Sequence, residues 1–404
     1  MPPSTQLRTV MVGAVAGVAA GLVVGSRALV VGALTALLLG VVVAYCRRHV
    51  FDRLSYSRAL SDRVVGWGAE VEVRFEVRNR KWLPVLWMHV RDRWPAAVEP
   101  LGFSLRRGAD PTARTFDQHY SLRWWERVSR RRRGVCRERG VHVFGPASAE
   151  AGDPFGFSAV ESDLSDASRL IVLPKVLTTP ALELLVGRPQ LDVPARTSLA
   201  RDPTGLIGAR PYRSGDPLRV INWRATARRQ RLVSNRFEPT VTTQAMIALN
   251  LRTVRHLYQG WDAETMELLC VAAASLAAGI ADLDFAVGLL SNADLAGAPG
   301  GVTVDPAHSL GELLETLARV VLWPPSPFEH LLDLEAAAPR ESTDYVVVTA
   351  MLDEPLAAAI AALRHEARTH VVFVGEPPAA HAGLVDRRVS AEIDWREADE
   401  LPLA

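Results

Sequence analysis

The densest concentration of chemistry in this sequence is a set of arginines around two acids. The segment Gly208-Ala-Arg-Pro-Tyr-Arg-Ser-Gly-Asp-Pro-Leu-Arg-Val-Ile-Asn-Trp-Arg-Ala-Thr-Ala-Arg228 holds Arg210, Arg213, Arg219, Arg224 and Arg228, with Asp216 inside it and Glu238 beyond it. A guanidinium is a planar fork that grips carboxylates and phosphates two bonds at a time. Two readings stay open. One is an ion-pair network that pins a tight turn, Ser214-Gly215-Asp216-Pro217, in which Pro217 fixes φ and Gly215 is free to adopt a positive one. The other is a surface that docks an anion or an acidic partner.

No phosphate loop, GxSxG, HExxH or dinucleotide fingerprint occurs. Gly297 to Gly301 is a loop without the Lys and Ser/Thr of a phosphate cradle. The ten histidines read as isolated, with His256, His308, His330, His365 and His370 in helical or edge contexts. Cys46, Cys136 and Cys270 lack metal spacing and read as free thiols in a reducing compartment. No catalytic residue, cofactor or bound metal is expected. The tract Arg130-Arg131-Arg132-Arg133 lacks the helical basic face of a nucleic-acid binder, so no nucleic-acid partner is expected. A solvated loop or a patch facing anionic lipid is expected there. The first function class is therefore a binding module, a scaffold or adaptor. The alternative is an envelope-linked enzyme acting on an anionic substrate through the arginine-rich segment and Asp216.

Arg210, Tyr212, Gly215, Asp216, Arg219, Ile221, Asn222, Trp223, Ala225, Thr226, Ala227, Arg228 and Glu238 form a signature that resembles the bacterial domain of unknown function fifty-eight family, often associated with MoxR-type AAA+ ATPases. The turns Gly145-Pro146 and Asp153-Pro154-Phe155-Gly156 fit the same family. One departure lies inside the signature: the usual Asp before Trp223 is Asn222, which keeps an acceptor but cannot pair ionically with an arginine. The resemblance implies a C-terminal von Willebrand factor A-like domain and a MoxR-type ATPase as partner. That fold usually holds Mg²⁺ through Asp-x-Ser-x-Ser after its first strand. Here the matching positions are Asn250, Arg252 and Val254, so a degenerate metal site is expected, with Arg252 able to fill the cation position itself. Thr349-Ala350 stands where a Ser-Asp pair often follows a later strand. Asp262 and Asp353 read as helix caps.

The elements that must position these residues read as a multidomain chain. Val71 to Asn79, Val85 to Val90 and Thr115 to Tyr120 alternate apolar and polar residues, with Pro and Gly between them, which predicts a β-sandwich-like domain over 60–175. Residues 176–240 read as linker plus signature. Over 241–404, apolar runs at 245–250, 285–290, 345–349 and 370–374 alternate with helical patterns at 262–281, 308–321 and 355–367. That pattern predicts an α/β doubly wound fold.

Ahead of these lies an anchor, residues 1–58. Uncharged runs at 9–26 and 28–46, separated by Arg27, predict a transmembrane helical hairpin. Gly13, Gly17, Gly21 and Gly25 stripe one face of the first helix, a surface for close approach of the second helix or of another copy, hence a route to a homo-oligomer. Arg8 precedes the hairpin, and Arg47, Arg48, Arg53 and Arg58 follow it. The positive-inside rule then puts both termini in the cytoplasm, with the lipid bilayer of the plasma membrane as the first partner. The net charge of +1 conceals a split: residues 1–240 hold 37 basic and 21 acidic side chains, and residues 241–404 hold 9 and 24. Such polarity fits docking between the halves or two different partners.

Overall fold

The computed structural model describes residues 5–108, 110–153, 159–165, 167–180, 182, 201–211, 233–239, 244–254, 262–295, 301–321, 327–340 and 342–404, with backbone alone for 5–7, 201–211 and 233–239. The chain divides into two units, Met1–Lys175 and Val176–Ala404.

The first unit opens with two apolar helices, α1 (Thr5–Val24) and α2 (Arg27–His49). The break between them falls one residue earlier than the charge pattern predicts. Gly25 takes a left-handed φ of 71°, which a glycine adopts without steric cost, and Arg27 opens α2 instead of separating the helices. The two helices pack through part of the glycine stripe. A Cβ on Gly17 would lie 3.2 Å from Ala33 Cβ, and one on Gly21 would lie 2.8 Å from Val30 Cγ2. Gly13 faces open space. Outward-pointing Val12, Leu22, Val23 and Leu38 are exposed.

The β body follows: β1 (Leu54–Leu60), β2 (Val64–Val65), β3 (Glu70–Asn79), β4 (Val85–Pro95), β5 (Val98–Leu101), β6 (Arg106–Arg107), β7 (Ala113–Leu122), β8 (Arg127–Cys136), β9 (Gly140–Phe144), β10 (Ala147–Gly152), β11 (Ala159–Ser165) and β12 (Ser168–Val172). They form three sheets, ordered β1-β3-β8-β5, β11-β10-β4-β7-β6 and β2-β12-β9. In β3, Val71, Val73, Phe75 and Val77 are buried while the charged residues between them point out, as strand alternation requires. Trp94, Phe116, Tyr120 and Phe144 join the same core.

Two basic features take different roles from those the sequence predicts. The arginine tract is not a loop but the middle of β8, paired with β3. Arg130 stacks 4.3 Å over the Tyr120 ring and Arg132 lies 5.9 Å from the Phe103 and Phe116 rings. Arg131 and Arg133 pair with Glu72 and Glu70. Strand alternation thus divides the tract into two arginines on aromatic faces and two on carboxylates. Arg58, counted by sequence among the cytoplasmic flank charges, is withdrawn into the core. Its Nη1 donates to Asp92 Oδ2 at 2.7 Å and its Nη2 to the Phe144 carbonyl at 2.9 Å, while the Tyr56 hydroxyl donates to the same carboxylate at 2.7 Å.

The second unit is built on a six-stranded sheet of β15 (Gln244–Leu249), β16 (Ala286–Ser291), β17 (Val302–Val304), β18 (Thr343–Thr349), β19 (Thr369–Val374) and β20 (Arg387–Val389). Its order is β17-β16-β15-β18-β19-β20, parallel except for β17. Helices α3 (Ala263–Asp282), α4 (Leu310–Arg319), α5 (Phe328–Ala337) and α6 (Glu354–Glu366) lie between the strands in sequence. Met246, Ala248, Tyr345, Val347, Val371 and Phe373 bury against Phe328 and Leu332 of α5 and Leu356, Ile360 and Leu363 of α6. Strand alternation turns Ala245, Ile247, Val346 and Val348 to the opposite face, and α3 packs on the same strands. Like α2, α3 is long and apolar enough to cross a membrane, but two thirds of it is buried in this unit, as a core helix must be.

The sequence reading misses α5, β17 and β20. It also places 176–178 in the linker. Instead the Leu177 amide donates to Ser275 Oγ of α3 at 2.9 Å, and the Leu401 amide donates to the Thr178 carbonyl at 2.8 Å.

Candidate functional site

The chain runs from β15 to β16 on one side and later returns to β18 on the other. The carboxyl end of β15 is therefore a topological switch point, where open parallel sheets form a crevice for ligands. Three buried polar side chains converge there. Asn250, just past β15, donates through Nδ2 to Thr349 Oγ1 at 3.0 Å. Its Oδ1 accepts from Asn292 Nδ2, also at 3.0 Å, and from the Arg252 amide at the same distance. Asn292 Oδ1 in turn accepts the Leu251 amide at 3.0 Å, and the Thr349 hydroxyl donates to the Met351 carbonyl at 2.7 Å. The network ties the ends of β15, β16 and β18 together with neutral groups.

Above it lies one ion pair. Arg252 Nη1 stands 3.9 Å from Asp353 Oδ2, the side chains 26% and 12% exposed. Arg252 Nε also donates to the Val254 carbonyl at 3.3 Å, which bends the guanidinium back over its own loop. Asp353 caps α6 by accepting the Leu356 amide, and Asp262 caps α3 by accepting the Glu264 and Thr265 amides. Hydrogen bonding from Thr265 holds the Asp262 carboxyl below its usual range.

A hard divalent cation does not fit these residues. Such an ion needs several carboxylate, hydroxyl or carbonyl oxygens with free lone pairs. Asn250 Oδ1 already accepts two N–H donors, Thr349 Oγ1 accepts from Asn250 Nδ2 and from the Met351 N–H, and a guanidinium stands beside the Asp353 carboxylate. Among the described residues no three His, Cys, Asp or Glu side chains come together as a metal-holding group.

Of the signature, Arg210 and Glu238 lie on a two-stranded antiparallel ribbon, β13 (Arg201–Pro211) with β14 (Val233–Pro239). In its register Gly208 faces Arg236, and Arg210 faces Ser234. Tyr212, Gly215, Asp216, Arg219, Asn222, Trp223, Thr226 and Arg228 lie outside the described residues, as do Gly297 and the 154–158 turn. Gly145-Pro146 is a turn with a cis peptide bond. Cys46, Cys136 and Cys270 are buried and form no disulfide.

The histidines are not all isolated. His89 on β4 and His119 on β7 stand opposite one another with rings stacked at 4.6 Å, and His89 Nε2 is 3.0 Å from Asp117 Oδ1. Both strands are legible by alternation, but the register that pairs them is not. Asn292 and Asn79 also escape the sequence reading, since nothing marks a lone asparagine as a hub before the strand ends are brought together.

Residues 208–377 match the family described as Protein of unknown function DUF58. No curated protein matches the chain. Among solved structures, the CARDB domain of the PF1109 protein from Pyrococcus furiosus is 14% identical, covering 30% of this chain and 91% of that one, with a TM-score of 0.20. A cohesin module from a Clostridium perfringens family 33 glycoside hydrolase is 13% identical, covering 30% and 96%, also at 0.20. Spo0M, a sporulation control protein from Bacillus subtilis, is 9% identical, covering 30% and 49%, at 0.17. Likenesses this slight carry no functional argument. The matched stretch runs from within β13 to just past β19.

Proposed function

We propose that this chain is a membrane-anchored scaffold: α1 and α2 cross the plasma membrane as a hairpin, and the C-terminal unit, a von Willebrand factor A-like domain, docks a protein partner in envelope-associated assembly. The observation that carries the reading is the exposed apolar surface of the hairpin. Val12, Leu22, Val23, Val31 and Leu38 point outward from helices that bury little within the chain, and only a hydrocarbon solvent removes that surface from water. Arg8 near the start of α1, Arg47 and Arg48 in the last turn of α2 and Arg53 beyond it support an orientation with both ends cytoplasmic, against Arg27 alone at the hairpin bend.

The docking half of the reading rests on the switch point. Arg252 is a half-sheltered cation loosely paired with Asp353 at the sheet edge where α/β folds bind ligands. It suits a carboxylate from an acidic partner segment better than a metal-bridged one. The family resemblance adds a MoxR-type AAA+ ATPase as that partner.

The test is affinity capture of the full chain from detergent-solubilised membranes. Recovery of an AAA+ ATPase, lost on Arg252→Glu while the variant still fractionates with membranes, is the expected result. Stoichiometric, tightly held Mg²⁺ or Mn²⁺ in the purified chain, or turnover of a phosphate-containing envelope precursor by it, contradicts the reading.

A further inference from the structure

Three tryptophans are exposed at one end of the β body. Trp82, in the loop between β3 and β4, is 78% exposed; Trp124 and Trp125, in the turn between β7 and β8, are 58% and 55% exposed. Trp82 and Trp125 meet edge to face at 6.4 Å. Leu86, at the start of β4 just after the Trp82 loop, is exposed too. Exposed aromatic side chains in such a cluster are unusual in a water-facing surface and mark an interaction site.

The end that carries them is fixed to the exit of α2. Lys81 Nζ donates to the Val50 carbonyl at 2.6 Å, and the Arg80 amide donates to the Arg53 carbonyl at 3.0 Å. Asn79, fully buried, donates through Nδ2 to the Leu83 and Arg123 carbonyls, both at 2.9 Å, and its amide donates to the Glu126 carbonyl at 2.8 Å. The two tryptophan-bearing turns are thereby stitched to each other and to the first residues past the helix. Trp125 has a φ of 55°, a left-handed conformation that side chains with a Cβ rarely adopt. The turn thus takes an unusual backbone conformation where it presents an indole to the outside.

The geometry sets the depth. Val50 lies three residues past Arg47, about 5 Å along a helix at 1.5 Å per residue. The polar layer of a bilayer outside its hydrocarbon core is roughly 5–8 Å thick on each side. Residues tied to Val50 and Arg53 therefore stand at headgroup depth when α2 spans the core. Indoles concentrate at that depth, with an apolar body and one N–H donor. Arg53, Arg80 and Arg123 are exposed around the same end, a cationic rim suited to anionic headgroups.

We infer that this end of the β body is a membrane foot. Trp82, Trp124, Trp125 and Leu86 seat in the headgroup layer of the bilayer that α1 and α2 cross, and Arg53, Arg80 and Arg123 contact anionic lipid. The foot rests on the anchored reading above, and it would hold the β body in one orientation on the membrane instead of letting it swing on its tether. Its occupant is lipid and not a second protein because the end is continuous with the helix exit and its rim is cationic.

The full chain is reconstituted into vesicles of phosphatidylcholine with phosphatidylglycerol, with and without acyl-chain-brominated lipid, and compared with a Trp82→Phe/Trp124→Phe/Trp125→Phe variant. Bromine quenches indoles only at membrane depth. The wild type is expected to lose up to roughly three tenths more of its emission than the variant, the share of three tryptophans among ten, and less in phosphatidylcholine alone. Equal quenching of both proteins, with the three indoles open to aqueous iodide, overturns the foot and assigns the patch to a protein partner. Flotation of the same vesicles separates the two readings: a chain that floats without indole quenching loses only the foot, and a chain that does not float loses the anchor.

Discussion

Two arginine–aspartate pairs in this molecule have the same chemistry and opposite settings. Arg58 and Asp92 are sealed in the β body with side chains 1% and 3% exposed, and the Tyr56 hydroxyl and the Phe144 carbonyl bond to them there. Arg252 and Asp353 sit at the carboxyl edge of the parallel sheet, half-sheltered and 3.9 Å apart. The sealed pair locks β1 against β4 and β9, and removing one member leaves a charge with no water to solvate it. The edge pair is the more exposed of the two, and on the docking proposal its cation is the one a partner would meet. Burial, and not charge alone, separates the two pairs.

The sharpest break in that comparison comes at the sealed pair. Arg58→Ala or Asp92→Ala is expected to destabilise the β body by about 3–5 kcal/mol, read as a loss of its thermal transition in the detergent-solubilised chain. Gly145→Ala should follow, costing about 1–2 kcal/mol for a side chain at left-handed φ, and more for the clash of the new Cβ with the Arg58 guanidinium. At the edge pair, Arg252→Ala is expected to change stability by no more than about 1 kcal/mol while abolishing partner capture. A loss like that of Arg58→Ala would make Arg252 structural.

A second buried cation sharpens the comparison through pH. Burial lowers the Lys81 ammonium to about 8, with the Asp52 charge opposing that shift. Because the unfolded chain holds this proton more tightly than the folded one, the cost of the buried charge is fully present below pH 8. It is relieved as pH rises from about 8 towards the ordinary lysine value near 10.4. Subtracting the unfolding curve of Lys81→Met from that of the wild type isolates the effect, and the difference should rise with pH across this window. The subtraction matters because the buried Cys136 thiol, pushed up to about 11, works in the opposite direction above pH 9.

Much of the β body was legible because one face of each strand is buried: the apolar positions of Val71 to Val77 give both the strand and its inner face. Register was not legible, and register decides the roles of Arg58, of the β8 arginines and of the stacked His89 and His119. In the second unit the four central strands and three of the helices announce themselves by apolar runs. α5 does not, because prolines precede it and only Phe328 and Leu332 are buried from its ten residues. At the site, Asn250 and Arg252 were visible as substitutions in an expected pattern, whereas Asn292 becomes meaningful only when β16 is laid beside β15. The signature was visible by its resemblance to a known family, and its ends fall on the β13–β14 ribbon.

The account stands or falls on the hairpin, and alkaline carbonate extraction of membranes from cells making the full chain tests it most directly. Retention in the membrane pellet is the predicted result. Release of the chain into the supernatant would contradict a pair of helices held by lipid, and with it the scaffold and the foot.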